Sequence, residues 1–275
     1  MTTPIDTRAN IALATNAIAY NFTQLFAALR ASIVQQLFAV WFGLSNYRDP
    51  TQDEWMGVAL PVIEAAKETS VTATQVYMTM QMEAAGVEDP TFSDVDLALI
   101  LAALRDGVPD EEVYSRPFKT VWDALSKGYT FDEALQQGAT RLRQLVETDI
   151  QLAHTNTSRT LLSQRSDVVG FRRVPTGDYT CALCMIASTQ RYNKLDLMPI
   201  HPGCDCRVAP IISTEPVGQI LDPDLLEQIH QSVEEMFGFS DRSGRVNDYR
   251  KLLVVHNHGE YGPTLAKAGN RFTVL

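Results

Sequence analysis

Apolar residues dominate the first part of the chain and follow a helical pattern. Residues 8–44 consist mainly of Ala, Leu, Phe and Gln, contain no Pro, and reach their first Gly only at Gly43. Between Ile11 and Tyr47 the sole charged residue is Arg30. This composition predicts one or two long helices with more than one covered face. The covered faces belong either to the core of a helical domain or to a docking or oligomerisation surface, and the pattern leaves both interpretations open.

Helix-start motifs organise the stretch that follows. Thr51-Gln-Asp-Glu54 has the pattern of a capping box, in which the Thr side chain and the Glu three residues later bind free backbone N–H groups. It predicts a helix that runs towards Glu83. A second capping box, Thr130-Phe-Asp-Glu133, predicts a long helix over residues 131–164. Apolar runs between them predict two shorter helices, at residues 93–105 and 115–128.

The character of the chain changes after Ser166. Here β-branched and aromatic residues predict two strands, at residues 168–174 and 206–212. Asp222-Pro223 predicts the start of a helix that ends near Phe237. Two further short strands are predicted around a loop, at residues 252–255 and 271–275.

These elements predict an α+β protein with a mostly helical N-terminal half and a small mixed C-terminal domain. Residues 1–130 form the helical region, which is the candidate docking region. Residues 131–164 form a long connecting helix, and residues 165–275 form the C-terminal domain. A chain of 275 residues is long enough to bury a sizeable core in such an arrangement.

Charge and composition narrow the class of protein. The net charge of −10 counts against broad binding to a phosphate backbone, which needs clustered Lys and Arg. Polar residues interrupt the apolar N-terminal stretch, whereas a membrane-spanning helix needs about 20 consecutive apolar residues, so no membrane partner is expected. The N-terminus shows no basic region followed by an apolar core, and we therefore expect no secretory signal. A reducing cytosol then favours metal over disulfide at the cysteines.

All four cysteines lie in one short window with metal-ligand spacing. The window reads Cys181-Ala-Leu-Cys184, a spacer, and His201-Pro-Gly-Cys204-Asp-Cys206. Soft ligands in close pairs are typical of a tetrahedral Zn²⁺ site. Five candidates compete for four positions, so we expect Cys181, Cys184 and His201 with either Cys204 or Cys206. Disulfides or plain thiols are the alternatives. A metal here would be structural, because nothing in the pattern provides the open coordination position of catalytic zinc.

A catalytic centre is not evident from the residues. The chain lacks a Gly-x-Ser-x-Gly elbow, a His-Glu-x-x-His helix, a Walker A loop and a dinucleotide fingerprint. The one other dense polar cluster is His256-Asn-His258-Gly-Glu260, predicted to lie on a loop. Its two His and one Glu could ligate a metal or act as acid and base, or they could simply cap the end of a strand. His154, near the end of the long predicted helix, is expected to have a surface or capping role.

The cysteine pattern resembles that of the MuF-like head morphogenesis proteins of tailed bacteriophages. In that family Cys-x-x-Cys and a spacer precede His-Pro-x-Cys-x-Cys and an apolar strand with Pro, and here this run extends from Cys181 to Pro210. Family members often carry Arg where this chain has Asp205. Two other stretches are similar to the branch found in phages of actinobacteria, at residues 116–128 and 258–263.

The resemblance implies a minor protein of the phage head, present in few copies. It implies association with the portal protein or the major capsid protein, in the host cytoplasm during assembly and then inside the virion head. Proteins of this branch are also often labelled capsid maturation proteases, which would place a catalytic centre at the His256–Glu260 cluster or at the cysteines. A third reading is a zinc module that contacts packaged DNA through four arginines, namely Arg159, Arg165, Arg172 and Arg173.

Overall fold

The computed structural model describes residues 4–44, 46–176, 191–197, 206–213, 253–258 and 262–267, together with single positions between residues 184 and 238. The helices before the first strand are α1 (Pro4–Phe42), α2 (Asp49–Ala84), α3 (Leu97–Ala102), α4 (Asp110–Ser126) and α5 (Phe131–Gln164). The strands are β1 (Val168–Val174), β2 (Arg191–Tyr192), β3 (Arg207–Ile212), β4 (Leu253–His258) and β5 (Gly262–Lys267). The predicted α+β class, with a helical N-terminal half and small sheets after it, is confirmed.

Helix α1 is a single continuous helix that packs along α2 and α5. Its buried side carries large apolar residues such as Phe26, Leu37 and Trp41, which belong to the main core. By length and composition alone, the segment Asn10–Phe42 would also be able to cross a membrane. The packing of its buried side against two other helices accounts for the apolar residues on that side.

Helix α2 begins earlier than the sequence pattern predicts. It starts at Asp49, after Arg48 as the N-cap, with a proline in its first turn. The predicted capping box at Thr51 is therefore wrong, and the Thr51 hydroxyl instead donates to Asn46 Oδ1 over 2.8 Å. The helix continues through Pro61 without a break and ends at Ala84.

The connection from α2 to α4 is less helical than predicted. Helix α3 starts after Asp96, whose side chain accepts a hydrogen bond from Leu99 N, so the predicted start at residue 93 is wrong. A 3₁₀ turn follows, in which Arg105 and Asp106 adopt positive φ angles of 50° and 56°. These left-handed conformations are unfavourable for residues with a side chain and have to be held by other contacts. Helix α4 then begins at Asp110 rather than at residue 115.

Helix α5 has the predicted bounds, and its capping box is confirmed. Thr130 Oγ1 accepts from Glu133 N over 3.3 Å, and Glu133 Oε2 accepts from Thr130 N over 2.9 Å. Gly138 lies where α5 crosses α1 and α4. A Cβ at Gly138 would come within 2.7 Å of both Trp41 and Val121, so the absence of a side chain permits the close crossing.

Strands β2, β1 and β3 form an antiparallel sheet in that order. The predicted bounds of β1 are confirmed, and β3 begins one residue later than predicted. Pro210 is compatible with β3 because β3 is an edge strand among the described residues, and Pro lacks a backbone donor. Gly170 allows the short strand β2 to approach, since a Cβ there would lie 2.5 Å from Tyr192 O.

Strands β4 and β5 form an antiparallel hairpin. The strand predicted at residues 252–255 extends to His258, and the strand predicted at 271–275 lies outside the described residues. Within the helix predicted from Asp222, the described positions that are helical are Glu227, His230, Gln231, Glu234 and Glu235.

Candidate functional site

The register of β1 and β3 gives the sheet two chemically distinct faces. Val174 is opposite Arg207 and Arg173 is opposite Val208. Because side chains alternate along a strand, Arg207 and Arg173 lie on opposite faces. We call the face that carries Arg207 the helix face and the face that carries Arg173 the cysteine face.

The helix face binds the sheet to α1. Arg207 is 1% exposed, its Nε donates to Thr23 Oγ1 over 3.0 Å, and its guanidinium lies 4.9 Å from the centre of the Phe26 ring. Arg172, on the same face, donates from Nη2 to Thr15 Oγ1 over 2.6 Å. Both arginines therefore hold the sheet against the helices through polar side chains of α1.

The cysteine face carries a buried arginine beside a cysteine. Arg173 is 5% exposed, and its Nη1 donates to Cys206 Sγ over 3.4 Å. The same guanidinium lies 5.9 Å from the centre of the Phe171 ring and 5.8 Å from that of Tyr192. Phe171 and Tyr192 stack on each other with their centres 5.0 Å apart. The two rings and the cation form one packed group next to the Cys206 sulfur.

Tyr192 connects this group to Cys184. Its hydroxyl donates to Ala187 O over 2.8 Å, and Ala187 is three residues after Cys184 in the sequence. Burial raises the pKa of the Tyr192 hydroxyl to about 12, with a lowering contribution from Arg173 and raising contributions from Cys206 and Cys184.

Of the five predicted metal ligands, Cys184 and Cys206 are described, and both are buried. Cys181, His201 and Cys204 lie outside the described residues. Within the described part of the chain, no group of three or more His, Cys, Asp or Glu side chains could hold a metal ion. The two described cysteines come from separate segments of the chain and are both shielded from water, so the zinc site stays a prediction.

The second predicted cluster is placed differently from the expectation. His256 and His258 lie in strand β4, where they pair with Thr264 and Gly262 of β5. The prediction of one loop is therefore wrong for these two histidines, because the strand extends beyond residue 255. Glu260 lies outside the described residues.

The four arginines of the hypothesis that the protein contacts packaged DNA do not share one surface. Arg159 is exposed on α5, whereas Arg173 is buried on the cysteine face and Arg172 contacts α1 on the helix face. Arg165 pairs with Asp167 through two hydrogen bonds of 2.9 and 2.7 Å. Its Nη1 also donates to two backbone carbonyls of the α2–α3 connection, those of Asp89 and Thr91.

His154 is buried, which contradicts the surface alternative of its predicted surface or capping role. It is 3% exposed and packs against the Phe22 and Phe26 rings. Thr74 Oγ1 donates to Ser70 O over 2.6 Å and lies 2.9 Å from His154 Nδ1. Because the single hydroxyl hydrogen of Thr74 is already used, the His154 Nδ1–H is the donor in this contact. Burial, reinforced by the positive charge of Arg207, holds the pKa of His154 well below its usual value.

A buried ionic network on the other side of α5 is a second feature that the sequence pattern does not predict. Asp149 is 1% exposed and accepts from Arg105 Nε over 2.5 Å and from the Tyr114 hydroxyl over 2.7 Å. Lys67 Nζ lies 3.7 Å from Asp149 Oδ2 and 2.6 Å from both carboxylate oxygens of Asp110. Arg105 also donates to a backbone carbonyl of α5, and these bonds hold its left-handed backbone in place. The network anchors the α3–α4 connection to α5.

Comparison with known proteins gives one family match. A family model described as VG15 protein matches residues 14–233, which covers most of α1, all of α2 to α5, the three-stranded sheet and the whole cysteine window. No curated protein matches the chain. No solved structure matches it either.

Proposed function

Because the chain belongs to the VG15 protein family and is a bacteriophage protein, we propose that it is a minor protein of the phage head. In this proposal it associates with the portal protein or the major capsid protein while the head is assembled in the host cytoplasm. It then remains inside the virion head. The MuF-like cysteine pattern from Cys181 to Cys206 supports this specific role within the broader class of phage proteins.

The burial of the two described cysteines supports the interpretation of the site as a structural one. Cys184 is 3% exposed and Cys206 is 8% exposed, and the Arg173 guanidinium donates a hydrogen bond to the Cys206 sulfur. Catalytic zinc keeps one position open to water or substrate, whereas structural zinc is enclosed by protein ligands. The burial of both sulfurs therefore favours a structural centre over a hydrolytic one.

The proposed zinc would be held by Cys184 and Cys206 together with residues from the set Cys181, His201 and Cys204. A bound zinc would supply a cross-link between the segment before β2 and the start of β3. That cross-link supports the role of the sheet as a stable platform next to the helical half, because structural zinc can contribute on the order of 10 kcal/mol of apparent binding energy.

The outward side of α1 is the proposed docking surface. It exposes large apolar residues along most of the helix, with Leu13 67% exposed, Leu25 56% exposed, and Tyr20 and Phe42 also exposed. From Asn10 to Phe42 the helix has one charged residue, Arg30, which donates to its own helix at Phe26 O. An apolar and nearly uncharged surface of this kind is typical of protein contacts. We define these four exposed residues as the α1 docking surface.

Complementation of a phage that lacks this gene tests the role in assembly. Leu13→Glu/Leu25→Glu places two charges on the α1 docking surface, and we expect the variant to fold but to be lost from purified heads. Leu99→Glu/Leu195→Glu is the matched control, because Leu99 is 69% exposed on α3 and Leu195 is 65% exposed beside β2. Equal incorporation of both variants would contradict α1 as the docking surface.

A cleavage assay separates this role from that of a maturation protease. Purified protein mixed with uncleaved major capsid protein is expected to leave it intact. Specific cleavage that disappears in His258→Ala would contradict a purely structural role. Salt-dependent DNA binding that disappears in Arg159→Ala, whose side chain is exposed on α5, would instead support the DNA-binding hypothesis.

A further inference from the structure

We propose that Arg173 positions the Cys206 sulfur as one of the metal ligands, so that Cys206 rather than Cys204 completes the site. The inference rests on the zinc centre of the proposed function and adds to it a ligand and a positioning residue. Its basis is the hydrogen bond of 3.4 Å from Arg173 Nη1 to Cys206 Sγ in the interior of the protein.

The strand register brings the two residues together. Arg173 lies opposite Val208, and Cys206 precedes Val208 by two residues, so both side chains belong to the cysteine face. Cys206 directly precedes β3, whose pairing with β1 fixes the backbone at this point. A ligand next to a paired strand keeps its sulfur at a defined position before the metal arrives, which reduces the ordering cost of binding.

The guanidinium itself has little freedom. Arg173 is 5% exposed and lies against the Phe171 and Tyr192 rings, with its central carbon 5.9 and 5.8 Å from the two ring centres. A planar cation held by two aromatic rings can direct its N–H groups towards one acceptor. An acceptor of one of these N–H groups is the Cys206 sulfur, which receives the bond from Arg173 Nη1.

The chemistry of the pair suits a metal-bound thiolate. A buried positive charge is stabilised by negative charge close to it, and a cysteine that binds zinc does so as the thiolate. Hydrogen bonds to ligand atoms orient them, and removal of such outer partners typically weakens metal binding by about 10–100-fold. Arg173 has the position and the charge of such a partner, whereas Arg172 contacts Thr15 on the other face of the sheet.

Zinc affinity of the full-length protein tests the inference through matched variants. We expect the wild type to bind one zinc and Cys206→Ser to lose it, while Cys204→Ser retains it. Arg173→Gln should bind zinc about 10–100-fold more weakly in competition with a chromophoric chelator, and Arg173→Lys should recover part of the loss. Arg172→Gln is the control and should stay within about two-fold of wild type, far below the change expected for a partner of the ligand.

Cobalt substitution provides a readout that a purely structural role of Arg173 would not change. Cobalt–thiolate charge-transfer absorption should shift to lower energy in Arg173→Gln, since loss of an N–H bond raises the energy of the sulfur lone pair. Circular dichroism shows which variants fold. If a cysteine variant does not fold, the comparison of Arg173→Gln with Arg172→Gln tests the inference without it.

The outcomes separate this inference from the proposed function. Wild-type protein without zinc and with four reactive thiols would contradict the zinc centre itself. Bound zinc with unchanged affinity and unchanged cobalt spectrum in Arg173→Gln, or loss of zinc in Cys204→Ser but not in Cys206→Ser, would overturn only the assignment made here.

Discussion

The Tyr77 hydroxyl donates a hydrogen bond of 2.7 Å to the backbone carbonyl of Val208, and this bond joins α2 directly to β3. Tyr77 is 1% exposed and stacks on Phe22 of α1, with ring centres 4.2 Å apart. One side chain thus contacts two helices and the sheet that carries the cysteines. The helical half and the three-stranded sheet share a single hydrophobic core around it.

Replacement of Tyr77 tests this connection. Tyr77→Phe keeps the ring but removes the donor, and we expect the free energy of unfolding to fall by about 1 kcal/mol, or more if Val208 O stays unsatisfied. Tyr20→Phe is the control, because Tyr20 is 48% exposed on the same helical half. Urea unfolding monitored by circular dichroism gives both values, and equal stability of the two variants would contradict the role of the bond.

Loss of the Asp149 charge should be strongly destabilising. Asp149→Asn leaves Arg105 buried with a weaker partner, and we expect a cost of about 3–5 kcal/mol, as for other buried ion pairs that lose one member. Asp123→Asn breaks an ion pair with Lys127 in which both side chains are exposed and screened by water, and it should have little effect on stability. Urea unfolding should therefore show a loss of stability that is several-fold larger for Asp149→Asn than for Asp123→Asn.

Replacement of two helical glycines by Ala should change the stability of the protein in opposite directions. Gly138→Ala forces a methyl group against Trp41 and Val121, and we expect a loss of about 1–3 kcal/mol from overpacking. Gly57→Ala meets nothing within 4 Å in α2 and should stabilise the protein by about 0.5–1 kcal/mol through helix propensity. The midpoint temperature of thermal unfolding should be highest for Gly57→Ala, intermediate for the wild type and lowest for Gly138→Ala. The reverse order would contradict the close crossing of α5 with α1 and α4.

His154 should make the protein less stable in mild acid. Its pKa in the folded protein is depressed by burial and by Arg207, while the unfolded chain has the ordinary value of about 6.5. Below about pH 6.5 the unfolded state therefore binds one more proton, and stability falls by up to about 1.4 kcal/mol per pH unit until the folded pKa is reached. His154→Gln should lose this part of the pH dependence.

The measurement for His154 compares the free energy of unfolding at pH 7.5 and pH 5.5 in the two proteins. The other histidines are present in both, so the difference between the two pH dependences belongs to His154. Identical pH dependence in wild type and His154→Gln would show that the side chain gains a proton in the folded state as readily as in the unfolded chain.

Local patterns in the sequence predict the elements whose boundaries are set by local contacts. The bounds of α5 follow from the Thr130–Glu133 capping box, and those of β1 follow from a run of β-branched and aromatic residues ahead of a turn. The same reasoning is wrong at Thr51, where the chain begins its helix at Asp49 and the hydroxyl binds Asn46. A capping pattern is therefore informative only where no earlier helix start competes with it.

Tertiary contacts determine what the local patterns miss. The sequence pattern does not predict the burial of Asp149, because its partner Arg105 lies 44 positions away in the chain. His154 is enclosed by rings from α1, and a single helix pattern does not indicate which neighbours will cover it. Within the candidate site, the spacing of the cysteines predicts the cluster, but the partnership of Arg173 with Cys206 depends on the register of β1 and β3.

Quantitative mass spectrometry of purified heads tests the proposed role of the protein most directly. Proheads and mature virions from infected cells should both contain the protein at a few copies relative to the major capsid protein. Heads assembled with Leu13→Glu/Leu25→Glu as the sole source of the protein should lack it. Wild-type heads without the protein, when it is abundant in the surrounding lysate, would contradict the proposal that it is a minor head protein.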